Sequence, residues 1–371
     1  GVVLTHKNLV WDARQCHTIQ PVDETYRFLS ILPMAHTYEN TLGLLLPLMF
    51  GAQVYYLDRV PTPKLLVPAM QKIRPTVVLS VPLIIEKIYK SQVLPKFTSS
   101  KLMSKLYQFA PARKLFNRLA GKKLMETFGG ELKFFGIGGS KLDGTVEQFL
   151  REAKFPYAIG YGLTETAPMA AGSNPSQTFL QGVGPVMEGV QIKINDPDKS
   201  GQGEIWIKGP NVMKGYYKRP ELTAETFTED GWVKTGDLGS FDKKNRLAIR
   251  GRIKTMILGA SGENIYPEEI ESIINNFRFV NESLVVENSG KLVAMVHFNM
   301  EELEKQYQKL KDQAGNYKEK INDYIEEQKQ ELRDYVNARV NNFSKLQLVL
   351  VQHEPFEKTP THKIKRFLYC K

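Results

Sequence analysis

Residues 231–271 read GWVKTGDLGSFDKKNRLAIRGRIKTMILGASGENIYPEEIE, and the division of the chain turns on them. Trp232 to Asp237 is a strand-like run that ends in a Gly-flanked acid, Asp237. Arg250-Gly251-Arg252-Ile253-Lys254 is a basic cluster leading into an apolar strand, Met256-Ile257-Leu258, and then a Gly-rich loop, Gly259 to Gly262. Pro267-Glu268-Glu269-Ile270-Glu271 is a helix start, because proline suits the first helical position and acids suit the positive end of the dipole. The stretch reads as a joint between two domains with chemistry on both sides. Taken singly, each piece has an ordinary reading: TGDLG a turn, RGR a solvated basic face, PEEIE a plain helix start. Their order and spacing carry the information.

Composition sets the outer limits. The 371 residues are 42% hydrophobic and 24% charged, enough for a large core and too long for one compact domain. The formal charge of +10 allows an acidic ligand, an anionic membrane surface or nucleic acid. No aromatic-basic recognition run stands out, so nucleic acid is not expected. Cys16 and Cys370 are far apart and no metal-spaced Cys/His set exists, so reduced thiols and a cytoplasmic setting are expected. The longest apolar run, Leu42 to Leu57, is broken by Pro47, Gly51 and Gln53 and does not suit a membrane span.

To the left of the joint, strands and helices alternate. Thr5 is an N-cap for a helix reaching Gln20. Strand-like runs follow at 26–33, 53–57, 76–81, 132–137 and 157–161, with helices at 42–50, 65–72 and 82–89. This predicts a parallel sheet covered on both faces. Lys96 to Lys123 reads as exposed basic helices. From about Gly182 to Arg250 the pattern becomes antiparallel, predicting a β-barrel-like subdomain or a distorted sandwich attached to the α/β part. To the right come a helix at 267–277 and a hairpin, 282–287 and 291–298. In the Lys/Glu-rich segment 301–342, Ile321, Ile325, Leu332, Val336, Val340 and Phe343 fall at helical spacing and predict a core-facing stripe. A last strand, 346–351, precedes the tail KTPTHKIKRFLYCK. The fold expected is α/β: a large domain over 1–251, with its α/β part to about 181 and the barrel-like part over 182–251, then a small mobile α+β domain over 252–371.

Two strand ends nominate a site, since open α/β sheets bind ligands at their carboxyl edge. Gly138-Gly139-Ser140-Lys141 follows one, and a glycine there lets a flat ring approach the backbone. Tyr161-Gly162-Leu163-Thr164-Glu165 ends the other: a hydroxyl can donate to a phosphate, and a carboxylate can hold Mg²⁺. A tight turn and a helix start are the bland alternatives. His36, in LPMAHTYEN, has a structural reading, and Lys363 belongs to a basic tail.

With these strings in place, the chain resembles the adenylate-forming (AMP-binding) superfamily of acyl-CoA synthetases and luciferases. LPMAHTYEN, the basic insert and the helical insert are most similar to long-chain fatty acyl-CoA synthetases. The resemblance implies that Tyr161 stacks on adenine beside Gly162, that Thr164 binds the α-phosphate and that Glu165 holds Mg²⁺. It implies that Gly139, Ser140 and Lys141 line the adenine, where the family usually has GGAPL. Asp237 and Arg252 would hold the ribose and Lys254 would be the hinge. Gly262 would line the pantetheine tunnel, and His36 would position groups between the acyl pocket and the triphosphate. Lys363, in the PT-x-K string, would stabilise carboxylate attack on the α-phosphate; His362 stands where Gly or Leu is usual.

The implied function is ATP-dependent ligation of a fatty acid to CoA through an acyl-adenylate, with ATP, Mg²⁺ and CoA required. A ligase for a shorter or aromatic acid and a non-catalytic membrane-surface binding module are the alternatives. Cytoplasmic location with peripheral membrane contact is expected. The chain opens at GVVLTHKNL, immediately after the place where the family carries a phosphate loop, so a weakly active or inactive fragment is expected.

Overall fold

The computed structural model describes residues 1–59, 61–98, 100–259, 263–310, 317–359 and 364–370. The chain divides into two compact units, Gly1–Ile249 and Arg250–Lys371.

The first unit is built on a six-stranded sheet with spatial order Gln53–Tyr56, Arg27–Ser30, Val77–Ser80, Phe134–Ile137, Tyr157–Tyr161, Ala171–Gly172. The first five strands are parallel and the last pairs antiparallel. Every residue of Val77–Ser80 is buried, as a central strand covered on both faces requires. One face packs on Leu66, Met70, Leu124, Val146 and Phe149, and the other on Ala13, Leu42 and Leu46. The helix at His6–Ile19 begins at Thr5 in a reciprocal cap with Asn8. The expected helix near Leu42 starts earlier, as a π-helix over Glu39–Leu45 that runs into Leu46–Met49. A helix at Gly144–Glu152, capped by Asp143, was not anticipated.

The segment expected to be barrel-like is not a closed barrel. Its strands form an open antiparallel sheet in the order Leu247–Arg252, Val233–Phe241, Gly203–Lys208, Gln191–Asn195. Closure needs the two edge strands to pair, and here the outer strands 191–195 and 247–252 remain separate edges. Alternation along each strand is the same in an open sheet and in a barrel, which is why the sequence pattern did not separate them.

The second unit is α+β. Strands Val280–Asn288 and Lys291–Phe298 form a hairpin, with Leu348–Val351 parallel to the second. Ile270 and Ile274 of helix Pro267–Ile274 and Leu332 and Val336 of helix Tyr317–Asn337 share one core with Val285, Ala294 and Val296. Of the expected stripe, Leu332 and Val336 are buried in this core and Ile325 and Val340 pack against it. Phe343 lies beyond the helix in a short turn and is exposed, so its spacing carried no meaning.

Candidate functional site

The strand Tyr157–Tyr161 delivers the first group. Tyr161 is buried, and its hydroxyl donates to Oδ2 of Asp237 at 2.9 Å. Asp237 is buried too, and a local irregularity places it there. The pairing of Val233–Phe241 with Gly203–Lys208 shifts register between Lys234 and Leu238. Inside that break Gly236 takes φ +70°, a conformation that favours glycine. The break is pinned by side chains: Thr235 Oγ1 donates to the Ile205 carbonyl at 2.7 Å and accepts from the Asp237 amide at 3.0 Å. The Gly236 amide donates to Glu204 Oε1 at 3.0 Å. The bulge re-aims one acid toward the end of a neighbouring strand, a common use of the device.

After Tyr161 the chain turns sharply. A Cβ on Gly162 would lie 1.7 Å from the Pro168 carbonyl oxygen, so glycine is required there by backbone approach within the protein itself. Thr166 Oγ1 accepts from the Leu163 amide at 2.9 Å and donates to the Pro168 carbonyl at 2.9 Å, closing the turn. This leaves Thr164 exposed and Glu165 half-buried. Glu165 Oε1 accepts the Tyr216 hydroxyl at 2.8 Å. Burial first, and then the Glu165 carboxylate, push the Tyr216 phenol up to about 12, so it stays a proton donor at neutral pH. Tyr216 had no signal in the sequence: it lies 51 residues from its partner.

The underside of this turn is held by buried amides and acids. Asn211 Nδ2 donates to the Met169 carbonyl at 2.6 Å, and the Met169 amide donates to Asp12 Oδ2 at 3.2 Å. Asn8 Nδ2 donates to the Pro210 and Val212 carbonyls at 2.7 and 2.9 Å. Thr41 Oγ1 donates to the Ala167 carbonyl at 3.0 Å. Burial drives the Asp12 carboxyl well above the carboxylate range. These contacts join the first helix, the π-helix and the 209–213 loop to one turn, which makes its position a tertiary property.

Gly139, Ser140 and Lys141 leave the adjacent parallel strand, Phe134–Ile137, at the same edge. Gly139 takes φ +91°, and a Cβ on Gly138 would sit 3.3 Å from the Tyr38 ring. Ser140 is exposed and Lys141 half-buried. His36 stabilises its own turn: its amide donates to the Pro33 carbonyl at 2.9 Å, and its Nδ1 accepts from the Tyr38 amide at 3.3 Å. Tyr38 in turn lines a narrow cavity of about 40 Å³, with Leu42, Leu46, Leu79, Phe134 and Met169 around it. Beside it Glu39 is buried, accepts from Ser30 Oγ at 2.5 Å, and leaves Oε2 without a partner among the described residues. Burial pushes its carboxyl up to about 7. Glu39 stands inside the LPMAHTYEN phrase, yet no role follows for it from the phrase alone.

The remaining site residues belong to the second unit. Arg252 and Lys254 are exposed. Next to them, Thr255 Oγ1 donates to Glu268 Oε1 at 2.7 Å, tying this turn to the helix start of PEEIE. Gly262 and Lys363 lie outside the described residues. On either side of the latter, Lys358 and Ile364 form a bridge, Lys358 pairs with Glu282, and Arg366 pairs with Glu271. Thus Tyr161, Gly162, Thr164, Glu165 and Asp237 come together around one strand end, with the Gly139 loop at the neighbouring end.

Comparison with known proteins gives consistent results. The family model described as AMP-binding enzyme matches residues 1–217. Long chain acyl-CoA synthetase 6, peroxisomal, of Arabidopsis thaliana is 30% identical over 401 residues, covering 99% of this chain and 56% of that protein. Long-chain-fatty-acid–CoA ligase 1 of Saccharomyces cerevisiae is 30% identical over 320 residues, covering 78% of this chain and 45% of the relative. The chain spans about half the length of the curated relatives it matches. Among solved structures, an ATP-bound RpMatB–BxBclM chimera superposes with a TM-score of 0.75 at 23% identity, over 100% of this chain and 64% of that one. The o-succinylbenzoate CoA synthetase of Bacillus subtilis, in complex with its acyl-adenylate intermediate, superposes with a TM-score of 0.73 at 22% identity, covering 100% and 66%. At these identities the structural likeness establishes the fold.

Proposed function

Because the chain belongs to the AMP-binding enzyme family, we propose that it carries the nucleotide-handling part of an ATP-dependent fatty acid–CoA ligase. The observation that carries this reading is the Tyr161–Asp237 hydrogen bond. It joins the YGLTE strand end to the TGD bulge, so an aromatic ring, a phosphate-directed hydroxyl and a carboxylate share one rim.

In this reading Tyr161 and the Gly139 loop, with Ser140 and Lys141, take the adenine, and Gly162 sets the turn beneath it. Asp237 and Arg252 take the ribose, and Thr164 donates to the α-phosphate. Glu165 suits a magnesium ion: one half-buried carboxylate, oriented by Tyr216, matches an ion that keeps waters and uses few protein ligands. When bound, the ion neutralises phosphate charge. The fatty acid carboxylate attacks the α-phosphate in line and pyrophosphate leaves, with Lys363 supplying charge without proton transfer. The small domain then turns at Lys254, Gly262 faces the thiol, and CoA displaces AMP. His36 acts by holding the Tyr38 turn at the wall of the apolar cavity.

An apolar cavity under that turn favours an acid with a hydrocarbon tail. At about 40 Å³ it is smaller than the ~150 Å³ cavity that takes up benzene, so its volume selects no acid, and a shorter or aromatic acid is the second reading. Calorimetry with a non-hydrolysable acyl-adenylate analogue tests the nucleotide site: binding that Asp237→Ala weakens about tenfold is expected, and binding indifferent to that change overturns it. Acetate, benzoate and palmitate compared in adenylation separate the two acid classes.

A further inference from the structure

The segment between Lys96 and Lys123 contains eight lysines and arginines and no acid, most of the chain's net charge of +10. In the fold it forms helices Lys101–Gln108 and Ala110–Thr127, packed on one another. Their inner faces are joined: Tyr107 donates to Asn117 Oδ1 at 2.8 Å, and Phe97 stacks on both Tyr107 and Phe116. Arg113 is drawn inward to Glu152.

Their outer faces are unusual. Leu102 is 68% exposed, Phe109 63%, Leu115 58% and Leu119 57%. Leu102 and Leu106, and likewise Leu115 and Leu119, are spaced i, i+4, so each helix lays an apolar stripe along one side. Lys105, Lys114, Arg118, Lys122 and Lys123, all exposed, flank those stripes. The next acid along the chain, Glu126, lies beyond the last lysine. A run of large exposed apolar side chains marks an interaction surface. Apolar stripes rimmed by cations are the pattern that lies in a lipid interface, with hydrocarbon below the headgroups and ammonium groups among the phosphates.

We propose that the outer faces of helices Lys101–Gln108 and Ala110–Thr127 form a docking surface for an anionic lipid membrane. The charge complementarity selects the anionic surface, and the apolar stripes select lipid over nucleic acid, which offers its phosphates but no hydrocarbon layer. The inference is independent of the ligase reading, since it uses no residue of the nucleotide site.

The test is co-sedimentation of this chain with vesicles of phosphatidylcholine alone and of phosphatidylcholine mixed with phosphatidylserine, at low and high salt. Binding to the mixed vesicles that falls with salt is expected. Leu115→Ser/Leu119→Ser should weaken it about tenfold at unchanged charge, and Lys114→Glu/Arg118→Glu should abolish the preference for anionic lipid. Both variants alter exposed side chains, and an unchanged melting temperature verifies their folding. No vesicle binding, equal binding to both vesicle types, or binding unaltered in both variants overturns the proposal. So does a self-association that Leu115→Ser/Leu119→Ser removes, which assigns the face to a second copy. Oligonucleotide binding that displaces vesicles and ignores the leucine variant assigns it to nucleic acid, with the same consequence.

Discussion

The Tyr161 hydroxyl donates to Oδ2 of Asp237 at 2.9 Å, and both residues are buried. One hydrogen bond thus couples the last residue of a parallel strand to a bulge in a separate antiparallel sheet. A buried carboxylate that loses a donor is costly. Tyr161→Phe should destabilise the first unit by about 1–3 kcal/mol. In a double-mutant cycle with Asp237→Asn, measured by chemical denaturation, the two changes should be non-additive by about 1 kcal/mol. Additive effects would mean that the bond does not link the two elements.

Tyr216 orients Glu165 through one hydroxyl. Tyr216→Phe should leave the melting temperature nearly unchanged and raise the magnesium concentration for half-maximal adenylation about tenfold. A fall in rate that saturating magnesium does not restore would place Tyr216 in another role.

Gly162 and Gly139 should respond differently to alanine. At Gly162 the added Cβ meets a backbone oxygen that has no room to move, so a loss of about 3 kcal/mol or more is expected. At Gly139 the added Cβ makes only an ordinary contact with Val81 at 3.7 Å and the positive φ opposes it, costing about 1–2 kcal/mol. Urea midpoints of the two variants decide the order.

Glu39 makes stability depend on pH. Burial raises its carboxyl from 4.5 to about 7, so the folded state holds the proton more tightly than the unfolded chain. Its contribution is complete below pH 4.5 and is lost as pH rises through about 7. Glu39→Gln keeps the shape and removes the titration. Relative to the native chain, the variant should gain about 3 kcal/mol between those limits. Parallel melting curves for the two proteins across the range would disprove the assignment.

The tail supplies a further expectation. Arg366 pairs with Glu271 and Lys358 with Glu282, on either side of the segment that includes Lys363. Arg366→Ala should lower adenylation about tenfold while sparing thioester formation from supplied acyl-adenylate, as Lys363→Ala should do more strongly. Equal loss of both steps would reduce the pair to a structural role.

Much of the architecture was legible because it is written in short-range periodicity. Thr5 caps its helix through Asn8 three residues away. The hairpin closes over a local turn. The five parallel strands are runs that a two-sided burial demands. The π-helical start at Glu39 was not legible, since seven residues of i→i+5 bonding are too few to set a hydrophobic period of their own. Neither was the open edge of the antiparallel sheet, because closure depends on which distant strands meet.

The sequence by itself determined the alternation of elements and the residue types at each strand end. The tertiary structure alone decided that Tyr161 answers Asp237 across 76 residues, that Tyr216 holds Glu165, and that Gly162 is required by Pro168. It also decided that two basic helices turn Leu102, Leu106, Leu115 and Leu119 outward. Periodicity reports which face of an element is apolar, and neighbours along the chain set it. Hydrogen-bond partners and covered faces depend on the path of the chain in space, which only packing of the whole unit selects.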